Sequence, residues 1–178
     1  MRNFGKKSLD EMKTALTTLI ADMNHMSAEH DAGDIDVQMD PSRFAGDYAT
    51  MAQGVNTMVF GHIAVKKQAM AIVKAFGEGD FDAPLAEFPG KKRFINDTIE
   101  QVRSNLKALI ADTSLLVDAA VAGRLDVRAD ADRHQGDFRR IVEGINATLD
   151  AVVAPLTDVI RALAAMEQGD LTLSVEKA

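Results

Sequence analysis

The chain has four histidines and no cysteine, which limits the metal and nucleophile chemistry that it could perform. A di-iron site in a helical bundle needs inward-facing Glu-x-x-His pairs, and the sequence contains none. Glu29 and His30 are adjacent, so on a helix they point in different directions. The sequence therefore predicts no metal site and no cofactor, and His62 is interpreted as a hydrogen-bonded core residue. The histidines are His25, His30, His62 and His134.

Two further chemistries are excluded by sequence context. Gly77-Glu78-Gly79 is not a phosphate-binding loop, because no strand precedes it and no Gly-Lys-Ser/Thr follows it. No serine, histidine and aspartate stand in an activating arrangement. The clusters Lys66-Lys67 and Lys91-Lys92-Arg93 are interpreted as solvated faces. We therefore expect a protein that is not an enzyme and has no catalytic residues.

Composition narrows the class of protein further. Of the 178 residues, 47% are apolar and 5% aromatic, which suits slender helical seams better than a compact globular core. The net charge of −7 argues against a nucleic-acid partner. No window approaches the roughly 20 apolar residues of a membrane span, and the absence of cysteine fits a reducing compartment. We expect a cytoplasmic protein with no membrane span in this segment.

Four short segments of similar sequence recur along the chain. Their glycines lie 46, 44 and 46 residues apart, and each one closes a long apolar-periodic stretch. A fixed period of this size is typical of an array of similar supersecondary units. The sequence therefore predicts three helix–connector–helix units and the start of a fourth. The segments are Ala32-Gly33-Asp34-Ile35-Asp36-Val37, Glu78-Gly79-Asp80-Phe81-Asp82-Ala83, Ala122-Gly123-Arg124-Leu125-Asp126-Val127 and Gln168-Gly169-Asp170-Leu171-Thr172-Leu173.

Apolar residues between these glycines alternate steps of three and four. Such an alternation is the seam of a left-handed coiled coil, and so narrow a stripe requires partner helices. We expect helices near residues 7–31, 48–77, 93–121 and 137–168, and hence an all-α fold. The predicted helix-seam residues are Val55, Met58, His62, Val65, Ile72, Ile99, Val102, Leu106, Leu109, Leu116, Ile145, Leu149 and Val152.

Connectors of about 13 to 16 residues join the predicted helices. An extended segment of that length spans about 40 Å at ~3.3 Å per residue, so it can return the chain to the start of the preceding helix. Consecutive helices would then run parallel. Apolar residues recur two and six positions after each glycine that ends a predicted helix. We therefore expect them to pack on the helices, with Ile35, Phe81 and Leu125 buried. The predicted connector positions are Gly33, Ile35, Met39, Gly79, Phe81, Leu85, Gly123, Leu125, Gly169 and Leu171.

The repeating unit resembles a HAMP domain, in which two amphipathic helices flank a connector that opens with a Gly-Asp-Leu-like segment. Ala154-Pro155-Leu156 resembles the start of the family's first helix, and Asp47-Tyr48 and Asp137-Phe138 resemble the acidic–apolar pair that opens its second helix. The run His62-Ile63-Ala64-Val65-Lys66 is similar to a segment of soluble, aerotaxis-type methyl-accepting receptors. The resemblance covers about residues 8 to 178.

This resemblance implies a homodimer in which each unit forms a parallel four-helix coiled-coil bundle, with two helices from each chain. It implies units at residues 7–62, 63–108 and 109–154 and a truncated fourth at 155–178, so we expect the N-terminal portion of a longer receptor. The second unit has Arg93 where the family has an acidic residue. We therefore expect that unit to be a different subtype.

In the family, such units relay conformational signals from a sensor to a methyl-accepting or kinase-controlling output. The leading hypothesis is a non-catalytic signal relay whose partners are a second copy of the chain and the sensor and output domains of the same receptor. A passive coiled-coil dimerisation spacer is the alternative, and a small-molecule-binding helical bundle is a third. A relay requires helices that continue unbroken from unit to unit. At Pro155 the ring removes a helical hydrogen bond, so we expect a bend or loosened turn at residues 151–155.

Overall fold

The computed structural model describes the backbone of residues 2–169 and the side chains of residues 8–169. Within that range the chain forms long helices and no strand, so the expected all-α fold is confirmed, with helix ends close to the expected ones. Short 3₁₀ helices interrupt the connectors at Pro41–Arg43, Gly90–Arg93 and Ala131–Arg133. The long helices are α1 (Arg2–Ala32), α2 (Asp47–Gly77), α3 (Phe94–Val121) and α4 (Gly136–Glu167).

The first three long helices end in the same hydrogen-bonded turn. The glycine after each helix has positive φ, at 104° in Gly33, 86° in Gly79 and 75° in Gly123. The residue that follows donates its N–H, at 2.9 Å, to a carbonyl five residues earlier. A left-handed glycine in this arrangement satisfies the last carbonyls of a helix, so the repeating glycines are helix stops, as predicted.

Helices α1 and α2 run parallel. The Tyr48 hydroxyl, near the start of α2, donates to Met12 O at 3.5 Å. Further towards the C-terminus of both helices, the ring of Phe60 lies edge-on to His30, with ring centroids 6.3 Å apart. Contacts therefore advance in the same direction on both helices, as the length of the connector predicts.

Helices α2 and α3 are continuous over their whole lengths, as expected for helices shared between neighbouring units. Helix α4 is continuous too, although Pro155 lies inside it. A loosened turn, one of the two alternatives expected at residues 151–155, is therefore not seen, and the other, a bend, stays a prediction. The φ that proline imposes is itself helical, so the ring removes one backbone hydrogen bond without forcing the chain out of the helix.

The described chain divides into two compact parts. The first contains the residues up to Lys74 together with Pro84–Phe88, and the second contains Ala75–Ala83 and the residues from Pro89 onward. Each part has a core built from two helices and the connector between them. The first core is Leu19, Met26, Met39 and Ala52, and the second is Leu116, Ala129 and Val142. No helix in the described range is long and apolar enough to cross a membrane.

Candidate functional site

An asparagine side chain fastens the connector to the following helix in both parts. The Met39 N–H donates to Asn56 Oδ1 at 3.1 Å, and Asn56 Nδ2 donates to Met39 O at 2.8 Å. Asn146 binds the N–H and the carbonyl of Ala129 at the same two distances. An amide side chain offers one acceptor and two donors, so it satisfies both backbone groups of the connector residue at once. We call these two pairs the amide clamps.

The residues that the amide clamps hold are buried between the helices. Met39 is 2% exposed and Ala129 is 5% exposed. Met39 joins the core of the first part, with Val37 packed beside it, and Ala129 joins the core of the second part, with Val127 beside it. The connectors are therefore walls of the hydrophobic core, and burial of an apolar side chain of the size of Met contributes about 1.5–3 kcal/mol.

The connector between α2 and α3 is attached differently. Arg103 of α3 donates from Nη1 to Phe81 O at 2.5 Å and from Nη2 to Ala83 O at 2.7 Å. Its guanidinium carbon lies 5.1 Å from the centre of the Phe76 ring, and the rings of Phe76 and Phe81 are 5.7 Å apart. An arginine with aromatic packing thus takes the role that asparagine has elsewhere.

The sequence difference behind these two attachments lies at one position. Each connector has a second glycine near its end, namely Gly46, Gly90 and Gly136. Asn56 stands ten residues after Gly46, and Asn146 stands ten residues after Gly136. The residue ten positions after Gly90 is Glu100. The middle connector therefore has no asparagine at the position from which an amide clamp forms.

In two connectors, the aspartate that stands three residues after the helix-ending glycine forms an exposed ion pair with the next helix. Lys67 lies 3.0 Å from Asp36, and Lys107 binds Asp82, each aspartate standing three residues after its glycine. Lys107 hydrogen-bonds to Asp82 and attracts its charge, which lowers the pKa of that carboxyl below its ordinary value. Because all four side chains are exposed, these pairs contribute little to stability.

The connector between α3 and α4 ends in a buried polar pair. His134 Nε2 lies 2.6 Å from Asp112 Oδ2, and their side chains are 2% and 7% exposed. Arg133 Nη1 lies 3.5 Å from the other oxygen of Asp112, with its own side chain 63% exposed. Earlier in this connector, Arg128 donates to Leu125 O and Val127 O at 2.7 Å each.

Much of the predicted seam is uncovered on a single chain. Met58, Val102 and Val152 are exposed, at 60%, 44% and 53%. An exposed apolar row of this length marks an interaction surface. Further residues of the same three-four alternation are also exposed, namely Leu9, Met12, Leu16, Met23, Met51, Leu156, Val159, Leu163 and Met166.

The remaining seam residues are distributed as follows. Ile72, Ile99 and Leu116 are buried, and His62 is exposed. His62 follows Met58 by four residues and lies on the same uncovered face, so its interpretation as a core histidine stays a prediction for the dimer. The half-buried seam residues are Val55, Val65, Leu106, Leu109, Ile145 and Leu149.

The connector residues follow the prediction in part. Ile35 is 38% exposed on the single chain, so its burial stays a prediction for the dimer. Its N–H donates to Gly33 O at 3.1 Å, in a tight turn that directly follows α1. Phe81, Leu85 and Leu125 are half-buried, short of the burial expected for Phe81 and Leu125. Gly169 has φ 86°, and Leu171 lies outside the described residues.

Sequence reasoning missed the amide clamps and the pair of His134 and Asp112. A signal for both exists in the repeat itself. The two asparagines share one offset from the second glycine, and His134 stands two residues before Gly136, where the other connectors have Phe44 and Phe88. A histidine at an otherwise aromatic repeat position predicts burial.

The described residues form no cluster suited to metal-dependent catalysis. Among residues 2–169, no three histidine, aspartate or glutamate side chains come together in a way that could hold a metal ion. The polar groups described above instead join connector to helix. The arrangement fixes each connector against the neighbouring helices.

Comparison with known proteins identifies the class. Residues 65–107 match the family described as HAMP N-terminal domain 3, and residues 133–178 match the HAMP domain family. The chain therefore carries HAMP domains in tandem over these two segments, and HAMP domains are parallel four-helix coiled-coil bundles. The resemblance to HAMP domains is confirmed for these two segments, and its extension to the residues before them and to soluble, aerotaxis-type receptors stays a prediction.

A curated relative is the methyl-accepting chemotaxis protein McpB of Pseudomonas aeruginosa. It is 38% identical to this chain over 109 residues, which is 61% of this chain and 16% of the relative. The chain thus spans a small fraction of the length of the curated relative that it matches.

Proposed function

We propose that this chain is the signal-relay segment of a cytoplasmic chemotaxis receptor. A parallel homodimer of stacked HAMP units would carry conformational changes from a sensor to a kinase-controlling output, with no catalytic role. The units are assigned to residues 7–62, 63–108 and 109–154, and a fourth begins at 155–178. The observation that carries the proposal is that connectors dock on helices that continue into the next repeat.

The uncovered seam supports the homodimer. Met12, Met58, Val102 and Val152 lie along the three-four alternation of four different helices, and each is at least 44% exposed. Two helices and a connector cover one side of a HAMP core, and a second copy supplies the matching pair. A seam of this kind is complete only in the dimer.

The continuous helices support the relay. Helix α2 carries Asn56 near its start and Phe76 near its end, so it contacts the first connector at one end and the second at the other. A rotation of α2 would therefore alter both attachments. Two sites are coupled when both of them influence the position of one shared element, which here is α2.

The two kinds of attachment support a difference between neighbouring units. Amide clamps hold the first and third connectors, and Arg103 with Phe76 and Phe81 holds the second. Units that differ in this way can prefer different helix rotations. Alternating preferences suit a relay better than a passive spacer, which needs uniform packing.

The relay is tested by a substitution in one unit and a measurement in the next. The chain has no cysteine, so a Val102→Cys reporter on α3 forms disulfides only with the second copy. We expect Asn56→Ala to change the cross-linking rate at that reporter by about threefold or more, a coupling of roughly 0.6 kcal/mol. Asn24→Ala is the control, because Asn24 is exposed on α1.

The passive spacer makes the opposite prediction for the same experiment. If the reporter cross-links at an unchanged rate in Asn56→Ala while the chain remains dimeric, the units do not communicate. That result would leave dimerisation as the function of the chain.

A further inference from the structure

The third connector differs from the other two in one residue, which stands two positions before the second glycine of each connector. That position holds Phe44 in the first connector, Phe88 in the second and His134 in the third. Phe88 and His134 are both buried, at 7% and 5% exposure. An imidazole has therefore replaced an aromatic hydrocarbon inside a packed connector, and only the imidazole can gain a proton.

The partner of this histidine has a counterpart in the first unit. Asp22 and Asp112 each stand eleven residues before their helix-ending glycines. Asp22 is bound by both of its oxygens to Arg43, at 2.7 and 2.8 Å, and that arginine is 53% exposed. Arginine keeps its charge at every physiological pH, so the partner of Asp22 does not switch between charge states.

In the third unit the aspartate is bound by a titratable side chain instead. His134 Nε2 lies 2.6 Å from Asp112 Oδ2, and both side chains are less than one-tenth exposed. The other charged group placed against the pair is Arg133 of the same connector, 3.5 Å from Asp112 and largely exposed. Helix α4 faces the adjoining cleft with the uncharged Phe138.

Water can reach the edge of this pair. A cleft of about 590 Å³ adjoins His134, and α3 lines it with the polar side chains of Gln101, Ser104 and Asn105. The imidazole is thus packed against the aspartate and borders a polar space from which protons can exchange. A titratable group that is both fixed and reachable is what a proton-sensing contact requires.

We infer that His134 and Asp112 form a proton-operated catch that fastens the end of the third connector to α3. When His134 is neutral, the buried carboxylate receives a neutral hydrogen bond from the imidazole and a long one, at 3.5 Å, from Arg133. When His134 is protonated, an imidazolium meets the carboxylate in a charge-assisted hydrogen bond, which is the stronger contact.

The direction of the response follows from those two states. The catch tightens when the imidazole gains a proton as pH falls, and it loosens when that proton is lost as pH rises. Loss of the negative charge of the carboxylate would loosen it as well. The inference concerns this chain alone and does not depend on the signal relay.

The natural control is His134→Phe, because it restores the residue type of the other two connectors and leaves Arg133 free to bind Asp112 as Arg43 binds Asp22. A second variant, Asp112→Asn, keeps a hydrogen-bond acceptor but removes the charge. The full 178-residue chain is used throughout. His25, His30 and His62 are then present in all three proteins and add the same background to each pH comparison.

The melting temperature at pH 5.5 and pH 8 and the amide NMR shifts of residues 131–135 are measured for all three proteins. We expect the wild-type chain to gain at least about 2 °C at pH 5.5, relative to His134→Phe. We also expect its connector amides to titrate with the His134 ring, and both effects to be lost in Asp112→Asn. Equal pH dependence of melting, or equal amide titration, in the wild type and His134→Phe would overturn the inference.

Discussion

Asn146 donates to and accepts from one residue, Ala129, so a single side chain satisfies both backbone groups of a connector position 17 residues away. The pair of Asn56 and Met39 repeats that relationship at the same separation. Because an extended connector has no ladder of its own, its buried backbone groups need partners from a helix. The amide clamps supply them where the connector enters the core.

Removal of an amide clamp should loosen its connector. Asn146→Ala leaves the buried N–H and carbonyl of Ala129 without a protein partner, so we expect a loss of about 1–3 kcal/mol in the free energy of unfolding. Urea denaturation followed by circular dichroism measures it. Asn24→Ala, at an exposed position on α1, should change stability by less than about 0.5 kcal/mol. Equal stability of the two variants would contradict the role of the clamp.

Truncation of the aromatic contact in the second connector should cost stability as well. Phe81 is half-buried between Phe76 and the Arg103 attachment, so Phe81→Ala should destabilise the chain by about 2–3 kcal/mol, somewhat below the range for a fully buried aromatic. Phe94→Ala is the matched control, because Phe94 is 65% exposed. The two variants would melt alike if Phe81 did not dock.

The pair of Asp82 and Lys107 predicts a response to acid. The pKa of Asp82 is lowered, chiefly by the Lys107 hydrogen bond, so its contribution to stability is present above the ordinary aspartate pKa of 3.8 and is lost as pH falls below it. We expect Asp82→Asn to melt slightly below the wild type at pH 6 and together with it near pH 2. Asp126→Asn, at the matching position of the third connector, is the control for removal of one exposed carboxylate. A constant gap between wild type and Asp82→Asn at both pH values would show that the ion pair has no part in it.

Pro155 costs α4 a hydrogen bond without breaking it. Pro155→Ala restores an N–H that can donate to Ala151 O, so we expect the C-terminal half of α4 to gain up to about 3 kcal/mol. Hydrogen exchange of the amides at residues 156–165 measures the gain. Ala154→Gly, one residue earlier, should act in the opposite direction by about 1 kcal/mol. Unchanged protection in Pro155→Ala would mean that the proline is not the weak point of the helix.

The helices and their ends could be predicted because they depend on local information. The three-four spacing fixes which face is apolar, and a glycine such as Gly33 ends a helix through its own backbone conformation. The parallel course of α1 and α2 followed from connector length alone. These features do not require knowledge of which distant side chains meet.

The attachments of the connectors could be predicted only in part. The shared repeat position marks Asn56 and Asn146 as equivalent, but it does not indicate that Asn56 binds the backbone of Met39, 17 residues away. Ile35 has the composition of a docking residue but lies in a tight turn that directly follows α1. Burial of His134 depends on Asp112, which stands 22 residues earlier on another element.

The central claim is that the exposed seam joins two copies of this chain in parallel. Single cysteines at Met12 and Val152, near opposite ends of the described chain, can form a disulfide with the same residue of a second copy only if the chains run in the same direction. Lys13→Cys and Ala151→Cys, which stand outside the seam, are the controls. We expect rapid cross-linking at Met12→Cys and Val152→Cys, slow cross-linking at the controls, and a sedimentation mass twice the 19.2 kDa of one chain. A monomer of 19.2 kDa with full helicity, or cross-linking no faster at the seam than at the controls, would contradict the account.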